Sequence, residues 1–425
     1  MPIITLIQVD IESVSPLFIS NGEDILIDEE MEMAYIPATT LAGAFRAYLN
    51  SIGKECTSLF GAQAANRAIE SSIYISDSFA KIKGFERRDG VSIDSERGSS
   101  VQGSKIDRLY LEKGLNFQLK FKIRAEESDI KDFNNMIYDC INALDKSLIR
   151  LGGNKSNGLG IFKVKKIEEI KFNLQNKDEW MRYLKNDFSN VRDISEKVLK
   201  RDLYEDFVKF TISGELTSPL LIGAPENYDP EDVDNRSIKS GGEYIIPGSS
   251  FKGVLRSRIE RIANYFGSID EANKIFGIVN SQENILSRVF VSEAIIDNKE
   301  FVEEVQYNRI KIDRFTGGTR NTALMDDMPV QGKVEFNIIY RKQNDKEKDD
   351  YAIGIIALAL RDLGTENLPL GGGASIGRGR FRAYNMSIVQ GKQIIDIDFE
   401  NKWISDPIKL DNYVRAAKNY MRQEG

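Results

Sequence analysis

Residues 3–14 alternate apolar and polar, the period of a half-buried strand. Leu115, Phe117, Leu119, Phe121 and Ile123 alternate strictly and predict a second strand over 115–124. Ile130, Phe133, Ile137, Cys140, Ile141, Leu144 and Leu148 recur instead at three-four spacing, which predicts an amphipathic helix over 130–149. Between these lie a helix over about 39–52, entered through an Ile-Pro turn, and a short strand at 72–77. A Gly-rich loop, 152–160, leads into a last strand at 161–170. The order strand, helix, strand, strand, helix, strand is the ferredoxin-like arrangement (βαββαβ, RRM-like), so the pattern predicts an α+β fold.

The same order returns over about 207–391, with a second helix near 350–362 that is apolar all round and so expected to be buried. Short blocks repeat with it. Ser15-Pro16-Leu17-Phe18-Ile19 matches Ser218-Pro219-Leu220-Leu221-Ile222. Ile36-Pro37-Ala38-Thr39-Thr40-Leu41-Ala42-Gly43-Ala44-Phe45-Arg46 matches Ile246-Pro247-Gly248-Ser249-Ser250-Phe251-Lys252-Gly253-Val254-Leu255-Arg256. Leu59-Phe60-Gly61 matches Ile275-Phe276-Gly277, and Ile73 to Asp77 matches Val289 to Glu293. Ile106-Asp107-Arg108 matches Ile312-Asp313-Arg314, and the Gly-rich loop from Leu151 matches the one from Leu370. Blocks in one shared order indicate an internal duplication. The expected organisation is a first domain over 1–172, a helical connector over 173–206, a second domain over 207–395 and a helical tail over 396–425. Each domain carries a long excursion between its second and third strands.

Composition narrows the chemistry. The chain has 425 residues, 29% of them charged and 41% apolar, which suits globular domains. It contains no histidine, which removes imidazole bases, Ser-His triads and His-ligated zinc. Cys56 and Cys140 are the only cysteines, so neither a disulfide framework nor a thiolate cluster is expected. The longest apolar run, Tyr351 to Leu360, is too short to span a bilayer, and the start lacks the features of a signal peptide. A cytoplasmic setting is expected, with no membrane partner. The net charge of −7 argues against a uniformly basic coat, yet local basic patches remain, such as 236–261 and 378–382.

Three features suggest chemistry. The first is the start of the helix after each Ile-Pro turn. Ser249 or Ser250 is expected to cap it, and Ser249, Lys252 and Arg256 share a side, which suits a phosphate. An ordinary capped amphipathic helix has the same pattern. The second is the acidic loop before each of these helices: Glu23-Asp24 and Asp28-Glu29-Glu30 in one half, Asp229, Glu231-Asp232 and Asp234 in the other. Such carboxylates suit a hard cation such as Mg²⁺, and equally a solvated loop. The third is basic loops. The excursions hold Arg97, Lys105, Asp107 and Arg108, then Arg309, Lys311, Asp313, Arg314, Thr316, Thr319 and Arg320. The Gly-rich loops hold Lys155 in one half and Gly372, Ser375, Arg378 and Arg380 in the other. The second Gly-rich loop follows a helix and enters a strand, so it is neither a dinucleotide fingerprint nor a P-loop. Glycines beside arginines suit a sugar-phosphate chain.

These motifs resemble the RAMP superfamily of CRISPR proteins. The resemblance rests on Ile246–Arg256, on the Gly-Gly-Gly-x-Ser-x-Gly-x-Gly-x-Phe loop at 371–381, and on the order of the blocks between them. It is nearest to backbone subunits of type III effector complexes, here as two fused copies. It implies guide-RNA binding by Ser249, Ser250, Lys252, Arg256 and Arg46, and by the Gly-rich loops through Lys155, Gly372, Ser375, Arg378 and Arg380. It implies that the excursions, with Lys105, Arg108, Arg309, Lys311, Arg314 and Arg320, act as thumbs that wedge the guide–target duplex. It further implies metal-dependent cleavage of complementary target RNA, with Mg²⁺ or Mn²⁺, by an aspartate of the loop before the helix. Asp234, in Asp234-Asn235-Arg236-Ser237-Ile238-Lys239, fits that role, with Asp232 beside it. In the first half Asp24 is the nearest equivalent and Asp28 the reserve; Asp234 and Asp24 would hold the metal. The implied partners are the guide, the target RNA and other type III subunits. A purely structural guide-binding subunit is the alternative. A guide-processing endoribonuclease is a further one, against which the absence of histidine weighs.

Overall fold

The structure is a computed structural model, and it describes residues 2–20, 22, 24–64, 67–93, 101–202, 206–225, 233–279, 284–300 and 305–420. Asp232, Asp229, Glu231, Glu23 and Arg97 lie outside the described residues. The chain folds as two compact units. One comprises Met1–Glu86, Leu109–Lys155 and Leu159–Leu203. The other comprises Arg87–Arg108, Ser156–Gly158 and Tyr204–Gly425. Two segments of the first half therefore fold with the second unit.

The first unit is built on β1 (Ile3–Ser13), α1 (Ala38–Ser51), β2 (Ile73–Ile75), β3 (Asn116–Ala125), α2 (Ile130–Asp145) and β4 (Phe162–Asn173). Its sheet runs β4-β1-β3-β2, with the short strand Arg192–Asp193 outside β4, antiparallel throughout. Alternation along β1 buries Ile7, Val9 and Ile11, and along β3 it buries Phe117, Leu119, Phe121 and Ile123. Phe45 of α1 stacks on Phe121, centroids 5.6 Å apart. Residues 173–206 supply the helices Lys177–Leu184 and Ser195–Leu199. Asn176 caps the first of these by accepting from the Asp178 and Glu179 N–H groups.

The second unit repeats the scheme with β5 (Phe207–Leu216), α3 (Gly248–Phe266), β6 (Val289–Ser292), β7 (Lys333–Arg341), α4 (Lys346–Gly364) and β8 (Phe381–Gln390). The corresponding order is β8-β5-β7-β6, again antiparallel. In both sheets the last strand carries one extra residue where it pairs with the first, Lys165 opposite the Asp10–Ile11 step and Tyr384 opposite the Ser213–Gly214 step. α4 buries Tyr351, Ile353, Ile355, Ile356, Leu360 and Leu363 on several sides, and Asp345 caps its start. The tail helix Pro407–Asn419 packs on α4 so closely that a Cβ at Gly354 would lie 2.0 Å from the Tyr413 carbonyl oxygen. Among the described residues, no helix is long and apolar enough to cross a membrane.

Candidate functional site

The two helix starts diverge from one plan. Pro247 occupies the N-cap of α3 with no side-chain cap, because the Ile-Pro turn starts the helix at Gly248. This corrects the expectation that Ser249 or Ser250 caps it: both lie inside the first turn, Ser249 exposed and Ser250 half-buried. Gly248 is buried against Asn157, whose carbonyl oxygen would lie 2.1 Å from a Cβ there. Asn157–Gly158 pairs in parallel with Val291–Ser292, so this segment fills the space beside the turn. In α1 the matching position is Ala38, and its N–H donates to the Asp77 carboxylate at 2.7 Å. Asp77 thus already places an anion at that helix start.

The cations of this motif have partners. Lys252 is buried and donates from Nζ to Ser287 Oγ at 2.9 Å. Arg256 pairs with Glu260 and lies over the Phe276 ring. Arg46 lies over the Phe60 ring and donates to the Phe60 and Gly61 carbonyls. In both copies the arginine therefore covers the aromatic of a Phe-Gly step, which explains why these blocks recur together.

Asp234 is exposed, and its Oδ2 accepts the Asp326 N–H at 3.1 Å. The next residues, Asn235–Arg236, pair in parallel with the strand Thr319–Met328, with Asn235 opposite Asp327. Thr319–Met328 and Tyr307–Ile312 form the ribbon of the excursion. Asp327 is fully buried. Its Oδ1 accepts from Asn235 Nδ2 at 3.0 Å, its Oδ2 accepts from Arg378 at 2.8 Å, and Arg309 pairs with that same oxygen. Arg378 also lies 5.5 Å from the Tyr307 ring centroid. One buried carboxylate thus joins the Gly-rich loop, the excursion and the short strand that follows Asp234. Asp327 did not emerge from the sequence, because one acid in a strand of a basic excursion has no distinguishing signal. The neighbouring Asp326 has a buried Oδ1 with no hydrogen-bond partner.

The remaining candidates are dispersed. Lys311, Arg314 and Arg320 are exposed on the excursion, with Arg320 3.5 Å from Asp313. Asp313 accepts N–H bonds from Thr316 and Phe315, which hold its carboxyl below the usual range. Gly372 donates its N–H to the Leu221 carbonyl, while Ser375 and Arg380 are exposed. In the first half Lys155 is exposed, and Lys105 and Arg108 are exposed on the strand region of its excursion, Lys105 pairing with Asp89. Asp24 is exposed; Asp28 accepts the Met31 N–H at 3.0 Å and shapes the turn between two short strands.

Two sheets whose four main strands run antiparallel in one order, each with a helix after an Ile-Pro turn and a Gly-rich loop before the last strand, define a duplicated α+β protein. The RAMP superfamily pattern matches residues 10–163 and again 214–382, and the chain belongs to that superfamily in two copies. It is also similar to a protein of Methanocaldococcus jannaschii named "CRISPR system Cms endoribonuclease Csm3". The two are 27% identical over 218 residues, covering 46% of this chain and 85% of that one.

Proposed function

We propose that this chain is a guide-RNA-binding backbone subunit of a type III CRISPR effector complex, and that its second copy cleaves complementary target RNA at Asp234. We assign each half a ferredoxin-like palm, a reading supported by the strand order last-first-third-second in both sheets. The observation that carries the cleavage reading is Asp234 itself: an exposed carboxylate bonded to the excursion through the Asp326 N–H, next to a short strand held by the buried Asp327. The similarity to a protein named as a Csm endoribonuclease agrees with it. Partners would be the guide, the target and the other subunits of such a complex.

The donor set fits a magnesium-like cation. Among the described residues no three carboxylates or thiols cluster closely enough to enclose a metal. Mg²⁺ needs no such cage, since it binds through one or two carboxylates, waters and substrate phosphate. The exposed Asp234 carboxylate is the group that would serve. Such an ion would polarise the phosphate. The protein itself orients Asp234 through the Asp326 N–H and excludes water behind it with the Asp327 cluster.

For the first half, a purely structural role is favoured. Asp28 is engaged in a turn, and Asp77 occupies the helix start. The test is cleavage of a labelled target by the guide-loaded complex. Asp234→Asn should remove one set of products while target binding persists, and Asp24→Asn should leave the product pattern unchanged. Full cleavage by Asp234→Asn would refute the assignment.

A further inference from the structure

The two Gly-rich loops are fastened alike at the base and differ at the tip. Gly153 and Gly372 donate their N–H groups to the Phe18 and Leu221 carbonyls, and Gly160 and Gly379 donate theirs to the Pro16 and Pro219 carbonyls. These anchors are equally spaced in the two loops. The first tip, Ser156–Gly158, folds with the second unit. Asn157–Gly158 adds a short parallel strand beside Val291–Ser292, and the Val291 N–H donates to the Ser156 carbonyl at 3.2 Å. Among the described residues, the corresponding tip, Ser375-Ile376-Gly377, pairs with no strand. Ser375 and Ile376 are exposed. A Cβ at Gly377 would meet nothing within 4 Å, whereas one at Gly158 would lie 3.0 Å from the Glu293 nitrogen. We propose that the tip Ser375–Gly377 is a peg for a neighbouring subunit: it adds as a short parallel strand to the sheet edge of another chain of this fold, beside a glycine that follows that chain's Ile-Pro turn. The proposal rests on the reading above of this chain as one subunit among others, and it names the surface and the kind of neighbour.

The filled seat shows what a seat requires. It needs a strand with room on its outer side, as Val291–Ser292 gives Asn157–Gly158, because main-chain bonds to a sheet edge supply the affinity of such an addition. It needs a glycine at the helix start, since a Cβ at Gly248 would lie 2.1 Å from the Asn157 carbonyl oxygen. The first unit meets only the first requirement. There β2 is the last strand of its sheet, and Ser76 and Asp77, which match Ser292 and Glu293, are exposed. Ala38, however, stands where Gly248 does, so its methyl group would strike an incoming carbonyl as a Cβ at Gly248 would strike that of Asn157. A second copy of this chain is therefore excluded, and the neighbour is a different chain that keeps the glycine. Docking asks little of the peg. Undocked, it closes on itself as one turn of 3-10 helix, Ala374–Ile376, through the Ile376 N–H to the Gly373 carbonyl and the Gly377 N–H to the Ala374 carbonyl. Hydrogen bonds of that turn type are poorly aligned and readily exchanged for strand bonds.

The test is sedimentation velocity of the full chain, without RNA, at rising protein concentration. The wild-type chain should stay monomeric. Ala38→Gly opens the seat of the first unit and should make the chain associate head to tail. Gly158→Val, strained at a φ of +99° and crowding Glu293, should expel the first tip and open the filled seat, with the same result. Adding Gly377→Asp to either variant should weaken association about tenfold or more, because the acid would meet Asp77 or Glu293 in the seat. An Ala38→Gly chain that melts like wild type and stays monomeric would overturn the peg, whether or not Gly158→Val folds. Association undiminished by Gly377→Asp would overturn the part of the tip. Wild-type association that Gly377→Asp abolishes would overturn the exclusion of a second copy. Asp234→Asn separates this proposal from the cleavage reading: added to Ala38→Gly, it should leave association unchanged. If Asp234→Asn also cleaves target normally, the cleavage reading fails while the peg stands on its sedimentation.

Discussion

Replacing Asp327 by alanine tests the buried junction most directly. Asp327 is fully buried and Arg378 is 7% exposed, so removing the carboxylate strands a guanidinium away from water. Breaking a buried pair in this way costs about 3–5 kcal/mol. Arg309 adds little to that sum, because its half-exposed side chain can turn into solvent. Asn235 loses its acceptor as well, adding about 1 kcal/mol. For a unit of this size each kcal/mol lowers Tm by about 2–4 °C, so a loss of roughly 8–24 °C is expected by scanning calorimetry. The paired change Asp327→Leu with Arg378→Met should recover most of it, since apolar isosteres commonly replace buried pairs without penalty. Target cleavage should stay low in the double variant, because Asn235 still lacks the anchor that fixes the strand next to Asp234. A single variant that loses less than about 1 kcal/mol, or a double variant that cleaves normally, would refute this reasoning.

Other outcomes follow from the same geometry. Gly248→Ala should destabilise the second unit by about 1–3 kcal/mol, because its Cβ would strike the Asn157 carbonyl; Gly253→Ala, one turn on with open space around it, should stabilise by up to about 1 kcal/mol, both read by thermal melts. The Asp313 carboxyl is held below 3.8 chiefly by the Thr316 N–H. A depressed folded value stabilises the turn above the unfolded pKa and is lost as pH falls through the folded one, so the Thr316 amide resonance should shift only below about pH 4. Burial raises both the Cys56 and the Cys140 thiol, so a disulfide reagent at pH 8 should label neither until the fold opens.

The periodicities of β1, β3 and α2 were legible because each buries one face, and burial writes itself into spacing. The duplication was legible for a related reason: Leu-Phe-Gly, Ile-Pro and the paired arginines serve the same packing task twice. What the chain order concealed were contacts between residues far apart in it. Nothing local pairs Lys252 with Ser287 or Arg378 with Asp327. The serines after Pro247 read as caps until the turn starts the helix one residue earlier. Nothing local marks Arg88 and Glu293 as partners, since their pairing depends on where a long excursion comes to rest.

Arg88 and Asn157 also bear on the history of the molecule. A polypeptide beginning near Tyr204 would lose the strand Asn157–Gly158 from its sheet, and Glu293 would be left without its guanidinium and Val291 without the Ser156 carbonyl. Twin modules that start as interchangeable copies stop being so once one completes the other's interior. Expression of the carboxy-terminal half by itself should therefore yield poorly soluble material, rescued by supplying the amino-terminal half in trans, and any ancestral split gene must have filled those places with a separate chain.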